Sequence, residues 1–425
     1  MALLVITFVT LLLAGVPIAF VLGMTAIPYL IFLVDIPLTV VPQKMFSGID
    51  SFLMVSLPFF VLASNIMNAG GITSKIVNFV NTTMGHIRGG LGHVNVVVSM
   101  IFAGLTGMAM ADTAAVGTLL IPAMKKEGYE EDFACAVTAS SSTIGPIIPP
   151  SFIFILYSLV VGGVSIAGLF LAGVIPGILL GLFQMALVAY YSIKRDYPIK
   201  KRAAIGKMIK SFFDVIPALT VPVIMIGGIV SGIFTATESA AMAVVVALLV
   251  SFFLYRSITL STFFKMLIDT GIMVGSLIFI LSGAMVFAWL LTSEQVPQMA
   301  VNYITGISSS IIVSLLIINV FLLVVGTFMD PTPAMLIMAP ILLPVAMKLG
   351  LDPIQFGVMI SLNLVIGLTT PPVGGCLFVA ASISDVSVER ISRAIWPFLL
   401  VNILVLLLVT YIPWITHFVP NLFGF

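Results

Sequence analysis

Apolar residues run along this chain in long stretches, and the length of each stretch, more than any periodicity within it, sets the predicted elements. The stretches cover residues 2–34, 53–69, 94–124, 132–162 and 166–193, then 212–231, 236–255, 266–292, 309–348, 355–384 and 394–416. About 20 apolar residues span the hydrocarbon core of a bilayer, so each stretch predicts a membrane helix, or two where it is longer and punctuated. Gly15 and Pro17 divide the first stretch into two helices. Polarity returns abruptly at KRDYPIKKRAAIGKMIK, residues 194–210, which carries seven basic residues against one acid. This linker, 194–211, separates a first half, 1–193, from a second, 212–425.

The halves repeat each other at a constant offset of 222 residues. Gly104 falls on Gly326, Pro122 on Pro344, Lys126 on Lys348, Gly128 on Gly350, Gly145 on Gly367, and Pro149–Pro150 on Pro371–Pro372. Helix breakers recurring in register mark an internal repeat. SSTIGPIIPP (141–150) thus has a counterpart in NLVIGLTTPP (363–372). Proline lacks an amide donor and clashes with the preceding turn, so both segments should unwind inside the membrane. Unwound backbone survives there only where protein or a water-filled cavity satisfies it.

Composition fixes the class: 61% hydrophobic and 8% charged residues, with a mean hydropathy of +1.28, exceed what a soluble surface carries. A net charge of +1 offers no basic patch for nucleic acid. The first 43 residues contain no Lys or Arg, so the N-terminal stretch is expected to remain as membrane helix and not to be a cleaved signal. Cys135 and Cys376 both lie in apolar stretches and read as buried packing. If 94–124 and 309–348 are re-entrant hairpins, each half has five spans and the second is inverted relative to the first. With the N-terminus outside, every Lys and Arg except Lys44 and Lys348 then faces the cytoplasm. Paired spans would give the same charge distribution, so charge does not choose between them. The expected fold is an all-α polytopic membrane protein, an inverted repeat of about 5+5 spanning helices (10–11 in total). It would carry two re-entrant hairpins (about 94–124 and 309–348) and two broken helices (about 132–162 and 355–384).

Discontinuous helices paired by an inverted repeat point to the binding site of a secondary transporter. Freed carbonyls with Ser and Thr hydroxyls make an oxygen cage suited to Na⁺, and exposed helix amides can hold an anion. Ser140, Ser141, Ser142 and Thr143 offer hydroxyls in the first half, Thr369 and Thr370 in the second. A lone hydroxyl in a helix commonly bonds back to the turn before it; it is the run of four beside Gly145–Pro146 that points to a ligand. Ser140, Thr143 and Thr369 are candidate substrate contacts. A carboxylate at the bilayer centre costs about 2.5–3.5 kcal/mol on insertion scales and needs compensation. Asp112 and Asp330, near the two hairpin tips, are therefore candidate cation ligands, helix caps, or both. Glu238 in FTATESAA is a third candidate, for which a capping or interfacial role outweighs substrate contact, and Asp50 and Asp269 read as helix starts at the membrane interface.

The set GMAMADTAAVGTLLIPAM, SSSTIGPIIPPS, GIFTATESAA, GTFMDPTPAMLIMAPILLP and GLTTPPVG resembles the large membrane subunit of TRAP transporters, the DctM-like family, over essentially the whole chain. The resemblance implies a Na⁺-driven importer of an organic anion in the bacterial inner membrane, with a periplasmic binding protein and a small four-helix membrane subunit as partners. It also implies an elevator mechanism. Carried onto this sequence, one Na⁺ site would use Gly104, Asp112, Ser141, Ser142 and Gly145. The other would use Gly326, Asp330, Thr332, Gly367 and Thr370. Within the family the likeness is to sialic acid systems with separate membrane subunits. The two sites cannot be identical, because Ser141 and Ser142 align with Asn363 and Leu364.

The alternative is an autonomous Na⁺- or H⁺-coupled carrier of the dicarboxylate or citrate type that needs no partner. A channel would show charge rings or a repeated carbonyl filter. An intramembrane enzyme is disfavoured because His86, His93 and His417 all lie near membrane boundaries, leaving no Ser–His pair or zinc set in the core. An aspartyl dyad of Asp112 and Asp330 would need continuous helices that the hairpin tips do not supply.

Overall fold

The computed structural model describes residues 2–33, 36–308 and 310–425; the side chains of 2, 52, 53, 103–106 and 305 are outside the description. The first half runs α1 (Ala2–Leu13), α2 (Ile18–Met24), α3 (Ala26–Phe32), α4 (Val40–Ile49), α5 (Ser56–Ala69), α6 (Ile72–Met84), α7 (Gly90–Thr106), α8 (Ala109–Lys126), α9 (Glu131–Ser141), α10 (Phe152–Val161) and α11 (Ile166–Lys194). The second runs α12 (Ile205–Val230), α13 (Ala236–Leu249), α14 (Leu260–Ser293), α15 (Val296–Ile307), α16 (Ile311–Phe328), α17 (Pro331–Lys348), α18 (Pro353–Gly367), α19 (Gly375–Ile383), α20 (Val388–Tyr411) and α21 (Trp414–Leu422). Among the described residues there is no strand, and seven helices are long and apolar enough to cross a membrane. The molecule is an all-helical polytopic membrane protein.

The stretch 94–124 is two helices in contact, α7 and α8, joined through Gly107 and Met108. Gly107 has φ +60°, and a Cβ there would lie 3.0 Å from Phe152 N and 3.3 Å from the Pro150 carbonyl oxygen. Only glycine suits that turn, and the missing side chain lets the hairpin tip rest on the first break. In the second half α16 and α17 turn at Met329–Asp330. The starts of α9 and α11, and the end of α8, recur in α18, α20 and α17 at the offset of 222.

The two expected breaks fall where the proline pairs stand. After α9 a 3-10 turn, Ser142–Ile144, leads into non-helical chain to Ser151, which caps α10 by accepting from Phe154 N. The break lies on the glycine face of α11. A Cβ at Gly173 would come within 2.3 Å of the Ile147 carbonyl oxygen, and one at Gly177 within 2.2 Å of Ile148 Cγ1. After α18, Leu368, Thr369 and Thr370 donate back to the carbonyls of Val365, Ile366 and Gly367 before α19 resumes. The Pro149–Pro150 and Pro371–Pro372 bonds are both cis.

Several details depart from the sequence reading. α12 begins at Ile205, inside the linker, because Ile205, Met208, Ile209, Phe212 and Phe213 follow helical spacing. Asp269 does not open a span: Thr259 caps α14 ten residues earlier, accepting from Thr262 N, and Asp269 lies within the helix. Asp50 closes α4 as its C-cap. Glu238 forms a capping box with Thr235 at the start of α13, as expected. Cys135 and Cys376 are buried and unlinked.

Most of the ion pairs among the described residues gather at one end. Glu127 pairs with Lys200, Glu130 with Arg195, Asp196 with Arg88 (3.2 Å), Lys125 with Glu131 (2.8 Å) and Asp385 (3.3 Å), and Arg390 with Asp132 (3.1 Å). Exposed pairs of this kind contribute little stability singly; they show that the linker lies over the α8–α9 turn. Tyr129 and Tyr197 pack there with tilted rings, centroids 4.3 Å apart. Burial pushes both phenols up to about 12, so neither ionises near neutral pH.

Candidate functional site

Four irregular segments converge on one cavity of about 320 Å³. The tip of the first hairpin lines it with Gly107–Ala111, the second with Asp330–Thr332, the first break with Pro146 and Phe152, and the second with Leu368. Asn65 of α5 and Met273 of α14 close it from helices that no motif marked, and Asn65 Nδ2 donates to Thr270 Oγ1 at 2.9 Å. The helices α8, α10 and α17 all begin at this cavity. No side chain caps α8, so its first-turn amides keep their hydrogen-bonding capacity. Helix N-termini aimed at one space favour an anion there. Among the described residues no Lys or Arg lines it.

Beside the tip lies a wholly buried polar cluster. Asp112, in the first turn of α8, has no exposed surface, and among the described residues neither carboxylate oxygen has a partner in hydrogen-bond geometry. Ser99 of α7 and Ser142 are its neighbouring hydroxyls. Ser99 Oγ is 3.0 Å from Ser141 Oγ, which is itself 3.0 Å from Asn95 Oδ1. Asn95 Nδ2 donates to Thr138 Oγ1 at 2.6 Å. A buried carboxylate without a partner carries a large desolvation penalty, which a proton or a cation would relieve. With two serines and the break beside it, the carboxylate has oxygen atoms around it, the ligand type that hard cations take.

Of the first predicted ligand set, Asp112, Ser141 and Ser142 therefore come together. Gly145 follows on the same turn and is buried, while the surroundings of Gly104 lie outside the described residues. Asn95 and Ser99 were missed. Their signal was present in sequence, two polar residues four apart on one face of an apolar helix.

The second set is arranged differently. Asp330 is exposed to the cavity and caps α17, its Oδ1 accepting from Thr332 N at 2.9 Å. Gly326 and Gly367 are where α16 and α18 touch backbone to backbone. Thr370 Oγ1 bonds back to the Ile366 carbonyl at 3.0 Å. The candidate substrate hydroxyls are engaged elsewhere and do not line the cavity. Thr369 Oγ1 donates to the Ile366 carbonyl (2.9 Å), Thr143 Oγ1 to that of Ser140 (2.6 Å), and Ser140 Oγ accepts from Asn402 (3.1 Å).

A cavity between two hairpin tips and two broken helices, with buried oxygen donors behind it, defines a membrane transport protein. Residues 5–415 match the family described as tripartite ATP-independent periplasmic transporter, DctM component, and the chain belongs to it. It is 40% identical over 413 residues to the sialic acid TRAP transporter large permease protein SiaM of Vibrio cholerae, covering 97% of this chain and 96% of that protein. It is 36% identical over 429 residues to the C4-dicarboxylate TRAP transporter large permease protein DctM of Rhodobacter capsulatus, covering 98% of each. The fold is similar to the YdaH transporter of Alcanivorax borkumensis, with a TM-score of 0.64 at 13% identity over 90% of both chains. These relatives are transport permeases, and the chain is one too, not an enzyme.

Proposed function

We propose that this permease imports an organic anion down an inward Na⁺ gradient, receiving it from a soluble periplasmic binding protein and working beside a small membrane subunit. The observation that carries the coupling is Asp112, whose two carboxylate oxygens are buried without a partner beside Ser99 and Ser142. Na⁺ held by Asp112, Ser141 and Ser142 would neutralise that charge. A second ion near Asp330, with Thr332, Gly367 and Thr370 around it, would screen the one acid that faces the cavity. The anion then meets uncapped α8 amides instead of a bare carboxylate, so substrate and ion favour each other's binding. A carboxylate, sialic acid in particular, is the substrate we favour, a reading supported by the relatives named for sialic acid and for C4-dicarboxylates. Family membership makes partner dependence the better reading than an autonomous carrier. In an elevator cycle, the hairpins and broken helices would move as one body against the remaining helices.

Uptake into proteoliposomes bearing all three components should require Na⁺ and no ATP. Equal uptake with choline in place of Na⁺ would sink the coupling. For orientation in the inner membrane, the basic linker is expected on the cytoplasmic side and the N-terminus on the periplasmic side. A cysteine introduced at Ala203 should resist a membrane-impermeant maleimide added to intact spheroplasts and react once they are lysed; labelling in intact spheroplasts would reverse the topology.

A further inference from the structure

Two amide side chains interrupt otherwise apolar helices and meet behind the first break. Gln184 lies on α11 and Asn402 on α20, and both are fully buried. Gln184 Nε2 donates to Asn402 Oδ1 at 2.8 Å and to the Ser140 carbonyl at 3.2 Å. Asn402 Nδ2 donates to Ser140 Oγ at 3.1 Å and reaches Thr143 Oγ1 at 3.5 Å. The turn that carries Ser141 and Ser142 is thus held by α11 and α20 through Ser140 and Thr143.

Through α16, the same α20 is linked to α18 one turn before the second break. Asn319 Nδ2 of α16 donates to Thr410 Oγ1 at 3.1 Å, and Asn363 Nδ2 of α18 donates to Asn319 Oδ1 at 2.7 Å. Asn363 stands at the repeat position of Ser141, one turn before Gly367. Asn402 and Thr410 are eight residues apart, about 12 Å along one helix. Buried amides are costly unless bonded, and a helix that needed only to pack would carry leucine at these places. Here every amide nitrogen is bonded, although Gln184 Oε1 and Asn363 Oδ1 are left without a partner among the described residues; Asn402 bonds to the first break and Asn363 stands one turn before the second.

We propose that α20 is a strut that positions both broken segments, with Asn402 and Gln184 holding the Ser140–Thr143 turn so that Ser141 and Ser142 stay beside Asp112. Neither amide touches the ion ligands; both act through Ser140. The assignment rests on the reading of Asp112, Ser141 and Ser142 as a Na⁺ site.

The test uses the full chain with its partners in proteoliposomes. Asn402→Leu is expected to raise the Na⁺ concentration for half-maximal uptake about tenfold, the effect of losing one well-formed buried hydrogen bond. The rate at saturating Na⁺, and the half-saturating substrate concentration measured there, should stay within about twofold of wild type. A merely structural role would instead lower the rate at every Na⁺ concentration. Ser140→Ala, which removes only the Oγ contact, should give a shift in the same direction and no larger, and the double variant no more than Asn402→Leu, which already removes that contact. A wild-type half-saturating Na⁺ in Asn402→Leu, or full additivity in the double variant, overturns the inference. If Asn402→Leu does not fold, Ser140→Ala alone decides, and an unshifted Na⁺ dependence there overturns it. Wild-type uptake indifferent to Na⁺ overturns the Na⁺ reading itself and this assignment with it.

Discussion

Asp112→Asn is expected to raise the half-saturating Na⁺ concentration for uptake about a hundredfold and, at the same time, to stabilise the Na⁺-free protein. The two effects share one cause. Asp112 is fully buried and its oxygens have no hydrogen-bond partner among the described residues, so in the absence of an ion the carboxylate is a cost to folding, and a neutral amide of the same shape lowers that cost. With the ion present, the charge is what holds it. Removing one member of a buried charge pair typically costs about 3–5 kcal/mol, and about 2.7 kcal/mol already corresponds to a hundredfold in affinity. Thermal unfolding in detergent separates the effects: the wild type should gain melting temperature on Na⁺ addition, while Asp112→Asn should start higher and gain little. Asp330→Asn makes the internal comparison. Its carboxyl already accepts from Thr332 N, and Asn caps a helix about as well as Asp, so its melting temperature should barely change without Na⁺. A Na⁺-induced stabilisation of Asp112→Asn equal to that of wild type would leave Asp112 without a role in ion binding.

What the sequence made legible was whatever acts locally. Gly145, Pro146 and the proline pairs stop a helix wherever they stand, so the breaks fell where they were expected, as did the turn after Leu13. The amphipathic or short helices α4, α6 and α15 were not legible, because their apolar residues are too few or too interrupted to stand out in a chain that is 61% hydrophobic. Polar residues marked by number, such as Ser140–Thr143, were found, but which hydroxyl faces the cation and which faces α20 is set by helix rotation and neighbouring helices. Single polar residues in apolar helices, Asn95, Ser99, Gln184 and Asn402, carried the complementary half of that information. Each is fully or nearly fully buried and bonded to the first break or to its neighbours. An isolated amide in a membrane helix is costly enough to be a signal in its own right. Asn65 and Met273 enter the cavity through tertiary packing alone, which no spacing along the chain encodes.

Gly367→Ala is expected to be the most disruptive single-methyl change in the second half. Gly326 and Gly367 are both buried where α16 crosses α18. A Cβ on Gly367 would stand 2.2 Å from the carbonyl carbon of Gly326, 2.5 Å from its oxygen and 2.6 Å from its Cα. All three are backbone atoms, so no rotamer change relieves the overlap; one helix must move away from the other. Overpacking of this kind costs about 1–3 kcal/mol where side chains can adjust, and a backbone-on-backbone clash belongs at or above the upper end. The displacement would also pull the second hairpin from the break that carries Thr370, so any folded fraction should lose ion-dependent uptake. Gly227 and Gly275 supply the controls, since each lies in a helix with nothing within 4 Å of an added Cβ. Alanine there should be neutral or favourable by about 0.5–1 kcal/mol. The measurement is the monodisperse yield and melting temperature of the three variants by fluorescence-detected size exclusion. A Gly367→Ala protein that melts with Gly227→Ala would mean that α16 and α18 do not approach each other through these two glycines.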